Sequence, residues 1–508
     1  MAVKLFLLVI FFAVMVSVGL YSRRHATSVD GFVLGGRSVG PWLTAFAYGT
    51  SYFSAVVFVG YAGQFGWKYG MASTWIGLGN AVIGSLLAWV VLGRRTKVMT
   101  QKLNSKTMPD FFGERYGSKA LKIAASVIVF VFLIPYTASV YNGLSRLFGM
   151  AFNIPYTYCV IGMAVFTGVY VILGGYMATA INDFIQGIIM LIGICAVIGA
   201  VLSGKGGLIE AIRKMAEMPS DVPVTMGQPG AFTSFLGPDP LNLLGVVILT
   251  SLGTWGLPQM VGKFYAIKDE KSINTGTVIS TIFAVIISGG CYFLGGFGRL
   301  FDNEAIYDET GAVVFDGIIP FMLSTLPDIL IGVVVVLVLS ASMSTLASLV
   351  LTSSSTLTLD LLKDNVMKDM DEKRQVRTMQ VLVVFFIVLS VVIALDPPTF
   401  IAQLMGISWG ALAGAFLAPF MYGLYWKGVT RAAVWASFAA GVGITVSNMY
   451  FHYIASPINA GAAAMIAGLI VVPAVSVVTP KPDKAKMDEI FMCYEEKVTI
   501  SKKRSLEE

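Results

Sequence analysis

The sequence predicts an all-α integral membrane protein with thirteen transmembrane helices, and three observations carry the prediction. Hydrophobic residues make up 56% of the 508 and charged residues only 13%, with a mean hydropathy of +0.78, far from the balance of a soluble domain. The apolar residues gather into runs of about 20, the length a helix needs to cross a hydrocarbon core about 30 Å thick. The short alternating segments of an outer-membrane barrel are absent.

Taken in order, the first run, Leu5 to Leu20, follows Lys4 and is closed by Arg23 and Arg24. It lacks a small-residue cleavage pattern and reads as a retained span rather than a secretory signal. Further spans fall near 41–65, 71–93, 120–149, 155–174, 177–203, 240–266, 274–298, 328–360, 378–396, 398–425, 431–453 and 458–479. With the N-terminus outside, the loops after odd-numbered spans are cytoplasmic. About 28 of the 35 Lys and Arg fall in those loops, at their span ends or in the tail, Arg94, Arg95, Lys97, Lys102, Lys106, Lys363, Lys368, Lys373 and Arg374 among them. The positive-inside rule thus predicts a cell-membrane protein with N-terminus out and C-terminus in. The outer connections at about 204–239 and 300–327 carry Glu210, Glu217, Asp221, Asp302, Glu304, Asp308 and Glu309 and read as loops with short interfacial helices. Residues 1–479 form one membrane domain. The charged cytoplasmic tail, 480–508, is too short for a nucleotide-binding or catalytic domain.

Composition and motifs exclude several kinds of activity. The net charge of +6 is spread over loops between spans, so it reports topology rather than a nucleic-acid partner. Cys159, Cys195, Cys291 and Cys493 have no disulfide or zinc spacing and read as packing residues. His25 and His452 are too few and too separated for a metal centre. An ATP-driven pump would need a Gly-Lys-Ser/Thr phosphate loop, a channel a repeated filter or charge ring, and an intramembrane enzyme paired acids or a Cys/His pair; none is present.

What remains is polar chemistry inside the spans. In Ser340-Ala341-Ser342-Met343-Ser344-Thr345-Leu346-Ala347-Ser348, a helix places Ala341, Ser344, Thr345 and Ser348 on one stripe, at i, i+3, i+4 and i+7. Isolated Ser/Thr pairs in membrane helices ordinarily bond their own i−4 carbonyls or glue helices together, but here the hydroxyls are dense. Two other spans carry helix-breaking residues near mid-depth, Tyr48-Gly49-Thr50-Ser51-Tyr52-Phe53-Ser54 and Ser251-Leu252-Gly253-Thr254-Trp255-Gly256-Leu257-Pro258. Matched breaks in two five-span halves, about 41–203 and 240–425, point to an inverted-repeat transporter that binds solute and ion where the helices unwind. Asp183 is the one acid placed well inside a span. It marks an ion pathway or relay, or else a helix-end acid at the interface, because Gly174-Gly175 lies just upstream.

These residues resemble the sodium/solute symporters, the family of proline, sugar, sialic acid and monocarboxylate carriers. Leu34-Gly35-Gly36-Arg37-Ser38-Val39-Gly40 is similar to the family's approach to its first broken helix, and Thr107-Met108-Pro109-Asp110-Phe111-Phe112-Gly113-Glu114-Arg115-Tyr116-Gly117 to its cytoplasmic motif. Gly174-Gly175 with Asn182, Asp183 and Gln186, and the stripe followed by Thr358-Leu359-Asp360, match two more. The resemblance implies a leucine-transporter-like core of spans two to eleven and a sodium-coupled symporter of a small organic solute, an amino acid, monocarboxylate or sugar-like compound, for which no oligomer is required. The implied sodium ligands are the backbones of Thr50, Phe53 and Ala341 and the hydroxyls of Ser344 and Thr345. Asp183 and Ser348 are implied as ion pathway or second-ion position, and Tyr52, Ser54, Tyr136, Thr254 and Trp255 as the solute cavity.

Three departures matter. Proline carriers have an acid where Tyr52 stands, and the aromatic pair of their seventh span is replaced by Thr250 and Thr254, which points away from proline. Ala347 occupies a position where relatives with a second ion have a hydroxyl, which implies coupling to one sodium. A proton-coupled symporter and a sensor that has lost transport are the competing readings, although sensors of this kind carry a large signalling domain.

Overall fold

The computed structural model describes residues 2–23, 26–367 and 369–495. Arg24, His25, Lys368 and the tail beyond Glu495 lie outside the described residues. Among the described residues the regular structure is helical, joined by turns and irregular loops that hold three isolated β-bridges, and eleven helices are long and apolar enough to cross a membrane.

Two of the eleven are of double length, Val56–Lys102 with 47 residues and Tyr156–Ser203 with 48. At 1.5 Å per residue each would extend about 70 Å, more than twice the hydrocarbon thickness. A glycine changes the direction of each: Gly70 at φ 59°, ψ −137°, and Gly175 at φ 54°, ψ −148°. At Gly175 a Cβ would stand 2.9 Å from both the ring and the carbonyl oxygen of Phe32, so both conformation and space require glycine.

Helix starts are set by local chemistry. Asp239, Asp269, Asp371 and Thr430 accept from the backbone N–H groups of Asn242, Ser272, Arg374 and Ala433, satisfying donors that a helix leaves orphaned. Proline opens the helices Pro41–Tyr52, Pro240–Leu252, Pro258–Ala266 and Pro457–Val478, where its missing N–H costs nothing. The connections at about 204–239 and 300–327 contain the short helices Leu208–Glu217 and Phe315–Ser324.

The Ser/Thr helix Asp328–Thr356 lies at the centre, packed against Pro41–Tyr52, Lys119–Phe152 and Tyr156–Ser203. Its most apolar stretch is 78% buried within the protein, against 22% for the first helix, which places the former inside the bundle and the latter at its lipid edge. Small residues bring helices close: a Cβ on Gly66 would fall 1.9 Å from the carbonyl oxygen of Gly295. Cys159, Cys291 and Cys493 are buried, and Cys195 is exposed on the surface of its span.

Asp183 is fully buried, and Asp316 and Asp360 are each only 1% exposed as well. Asp360 accepts from the Thr107 hydroxyl at 2.6 Å, and Lys122 lies 3.4 Å from it while bonding Asp110 (2.7 Å) and Asp364 (2.6 Å). This cluster pins the helix Met108–Tyr116 against the end of the Ser/Thr helix. Arg115 of the same helix is buried, donates to the carbonyls of Gly423 and Trp426, and meets Met487 and the Phe491 ring of the tail helix Lys484–Phe491. The described part of the tail is therefore docked onto the membrane domain.

Gly175→Ala is expected to destabilise the fold by about 1–3 kcal/mol, the cost of forcing a side chain into that backbone region. Gly199→Ala, where a Cβ meets nothing within 4 Å, should leave stability unchanged or slightly raised. Thermal denaturation of the detergent-solubilised variants compares the two.

Candidate cation and solute site

The first broken helix, Pro41–Tyr52, ends at Phe53, whose backbone is extended at φ −109°, ψ 98°. The chain turns helical again after Ser54, whose hydroxyl accepts from Val56 N–H (3.2 Å) and whose carbonyl accepts from Val57 and Phe58 N–H. Ala55 N–H donates to the Ser342 hydroxyl at 3.2 Å. Backbone groups freed by the break are thus met by neighbouring side chains, as burial at membrane depth requires.

Opposite the break lies the hydroxyl stripe. The Thr50 carbonyl is 3.0 Å from Ser344 Oγ and 3.3 Å from Thr345 Oγ1, and the Ser51 carbonyl is 3.3 Å from the latter. Both hydroxyls lie 3.1 Å from the Ala341 carbonyl. Thr50, Ala341, Ser344 and Thr345 therefore converge, while Phe53 stands at the break with its ring stacked on Tyr52, centroids 4.3 Å apart. Each hydroxyl has one proton to donate and lone pairs to spare. The gathered atoms are all neutral oxygens in a buried setting, which suits a hard monovalent cation and lacks the carboxylates that a divalent one favours.

Asp183 and Ser348 also come to one place, with an unanticipated third member. Lys263, 3% exposed on Pro258–Ala266, donates to Ser348 Oγ at 2.9 Å and lies 3.8 Å from Asp183 Oδ2. Ser348 and Ser51 share a hydrogen bond of 2.8 Å between their hydroxyls. A cation three residues from the end of the predicted 240–266 span looks like an ordinary inner flank, which is why sequence reasoning passed over it.

The second break runs through a tight turn at Gly253–Trp255 to Leu257 and the new helix start at Pro258. Thr254 donates to the Gly84 carbonyl (3.0 Å) and Trp255 Nε1 to that of Ile83 (2.9 Å), tying the break to the neighbouring helix. Tyr52 donates to the Thr250 carbonyl. Trp409 joins these parts: its ring stacks 6.1 Å from Tyr52 and meets Tyr136 edge-on at 5.9 Å. Tyr52 and Tyr136 are thus brought together through a residue the sequence reading missed, whose only signal is a Trp set between Gly406 and Gly410 in an apolar run. The Ser54 hydroxyl is turned to capping the second half-helix. A narrow cleft reaches Lys263 and Ser348 from the side of Lys106 and Thr107, past Gln259 and Ser355.

Interrupted helices that face each other across a buried oxygen cluster are the anatomy of a secondary transporter. Residues 32–441 match the model of the sodium:solute symporter family, most of the chain, and the protein belongs to that family. A sodium/proline symporter of Staphylococcus aureus (strain JH9) is 28% identical over 460 residues, covering 87% of this chain and 84% of that relative. The solved structure of a substrate-bound, outward-open Na+-coupled sialic acid symporter, described with a novel Na+ site, aligns with a TM-score of 0.74 at 14% identity, over 95% of this chain and 99% of that one. Mhp1, a nucleobase-cation-symport-1 family transporter in a closed conformation, aligns at 0.55 and 13% identity, over 92% of this chain and 99% of that one. The fold is the leucine-transporter-like one the motifs implied. The protein is a multi-pass membrane transporter rather than an enzyme, and sodium is its coupling ion.

Tyr52→Phe removes the donor to the Thr250 carbonyl and is expected to cost about 0.5–1.5 kcal/mol of stability. Thermal denaturation of the purified variant measures the loss.

Proposed function

We propose that this carrier imports a small organic solute, an amino acid, monocarboxylate or sugar-like compound, with sodium bound between the first helix break and the Ser/Thr stripe. The observation that carries the reading is the convergence of the Thr50 and Ala341 carbonyls with the Ser344 and Thr345 hydroxyls. Phe53 supplies a further backbone oxygen at the break. Counting each double-length helix as two crossings turns eleven into thirteen, with the N-terminus outside, the C-terminus in the cytoplasm of a cell-membrane protein, and inverted halves at about 41–203 and 240–425. No oligomer is required.

Tyr52, Tyr136, Trp409, Thr254 and Trp255 wall the solute cavity, with Ser54 acting through the half-helix it caps. An acid is replaced by Tyr52 and the aromatics of the seventh span by Thr250 and Thr254, so the solute differs from proline. One sodium falling through about 100 mV contributes about 2.3 kcal/mol, and a tenfold gradient about 1.4 kcal/mol more, enough for several-hundred-fold accumulation.

The test is uptake into proteoliposomes of labelled amino acids, monocarboxylates and sugars, with and without a sodium gradient. Thr345→Ala and Ser344→Ala should each raise the sodium concentration for half-maximal uptake about tenfold or more, since a bond to a charged partner is worth about 1.5–3 kcal/mol. Unchanged sodium dependence in both would remove sodium from the stripe. Asp183→Asn keeps the shape and removes the charge; it should slow uptake or alter the sodium response, whereas wild-type kinetics would leave Asp183 a structural role.

A further inference from the structure

Lys263 is the feature that sodium symport by itself does not use. Its ammonium group is buried on the second half of the second broken helix, where an unpaired charge could not stay. It lies between Asp183 Oδ2 at 3.8 Å and Ser348 Oγ at 2.9 Å, with the Tyr176 ring centroid 5.2 Å away. Ser348 is three residues, about one helical turn, beyond Thr345. Its hydroxyl bonds that of Ser51, whose carbonyl is in turn 3.3 Å from Thr345 Oγ1. A continuous chain of contacts therefore runs from the stripe to the ammonium group.

A carboxylate and a hydroxyl one turn beyond a neutral-oxygen cation position are the makings of a second, charged cation position. We propose that in this chain a tethered cation, the Lys263 ammonium, fills that position, so that the protein binds and carries one sodium ion where the same surroundings without the lysine would hold two. The proposal rests on the assignment of the first ion to Thr50, Ala341, Ser344 and Thr345. Three features support it. The ammonium supplies one positive charge to Asp183, as a bound sodium would. It takes up the Ser348 hydroxyl, whose oxygen a second ion would need. Ala347, the neighbour of Ser348 on the helix, offers no oxygen that could hold an ion beside it. The narrow cleft lined by Lys106, Thr107, Gln259 and Ser355 also ends at Lys263, so the tethered charge stands on the inner approach to the stripe and disfavours a second mobile cation there.

The experiment counts sodium directly. Binding of radiolabelled sodium to the purified wild-type protein in detergent should saturate at one ion per chain. Lys263→Arg, which keeps the charge, should also saturate at one. Lys263→Gln combined with Ala347→Ser removes the tethered charge and adds an oxygen; it should saturate at two, the second ion being lost again when Asp183→Asn is added. Two ions bound by the wild type, or one ion bound by a folded Lys263→Gln/Ala347→Ser protein, overturns the proposal. The wild-type count stands whether or not the double variant folds. Failure here is distinguishable from failure of the stripe assignment: loss of sodium binding in Thr345→Ala alongside a wild-type count of two would sink the tethered cation and keep the stripe.

Discussion

A backbone interrupted at membrane depth must find hydrogen bonds outside its own helix, and the interior of this protein is arranged around that demand. Lipid supplies neither donors nor acceptors, so each open carbonyl or N–H needs a partner from the protein or an ion. At Phe53 the partners come from Ser342, Ser344 and Thr345 of the central helix and from Ser54 within the break itself. Those contacts need the Ser/Thr helix at the centre, and its burial on all sides requires the close crossings that small residues permit. The same open carbonyls that make the break costly are of the kind that suits a small cation.

Much of this was legible in the sequence because it rests on local signals. The hydroxyl stripe is a periodicity, the two breaks are runs of Gly, Ser, Thr and Pro in otherwise apolar spans, and the helix Met108–Tyr116 announces itself with Thr107 and Pro109. Four of the five implied sodium ligands lie within hydrogen-bond reach of one another because helix geometry fixes i, i+3 and i+4 and the break fixes the rest.

What the sequence did not reveal depends on contacts between distant elements. Lys263 meets Ser348 across 85 positions of chain, and no local pattern separates an inward ammonium from a flank that faces headgroups. Trp409 is one aromatic among many until Tyr52 and Tyr136 are placed on either side of it. Asp360 ends the predicted 328–360 span and looks interfacial, yet the chain continues helical to Lys363 and Thr107 closes over it. The double-length helices show a related limit: hydropathy divides them into spans, whereas the backbone runs on until a glycine such as Gly175 redirects it.

The docking of Arg115 bears on how the chain is made. Arg115 is synthesised early, and the sulfur of Met487 that it meets lies 372 residues later. Arg115 can bond the Gly423 and Trp426 carbonyls only once the helix Ile401–Tyr425 is in place, and its contacts with Met487 and Phe491 wait for the tail helix. Closing a loop of that length is entropically unfavourable and slow relative to the insertion of single spans. A nascent chain that stops short of Lys484 would therefore lack the cover that Met487 and Phe491 give this arginine. The arrival of the helix Lys484–Phe491 is thus recorded in the fold as the burial of one charge.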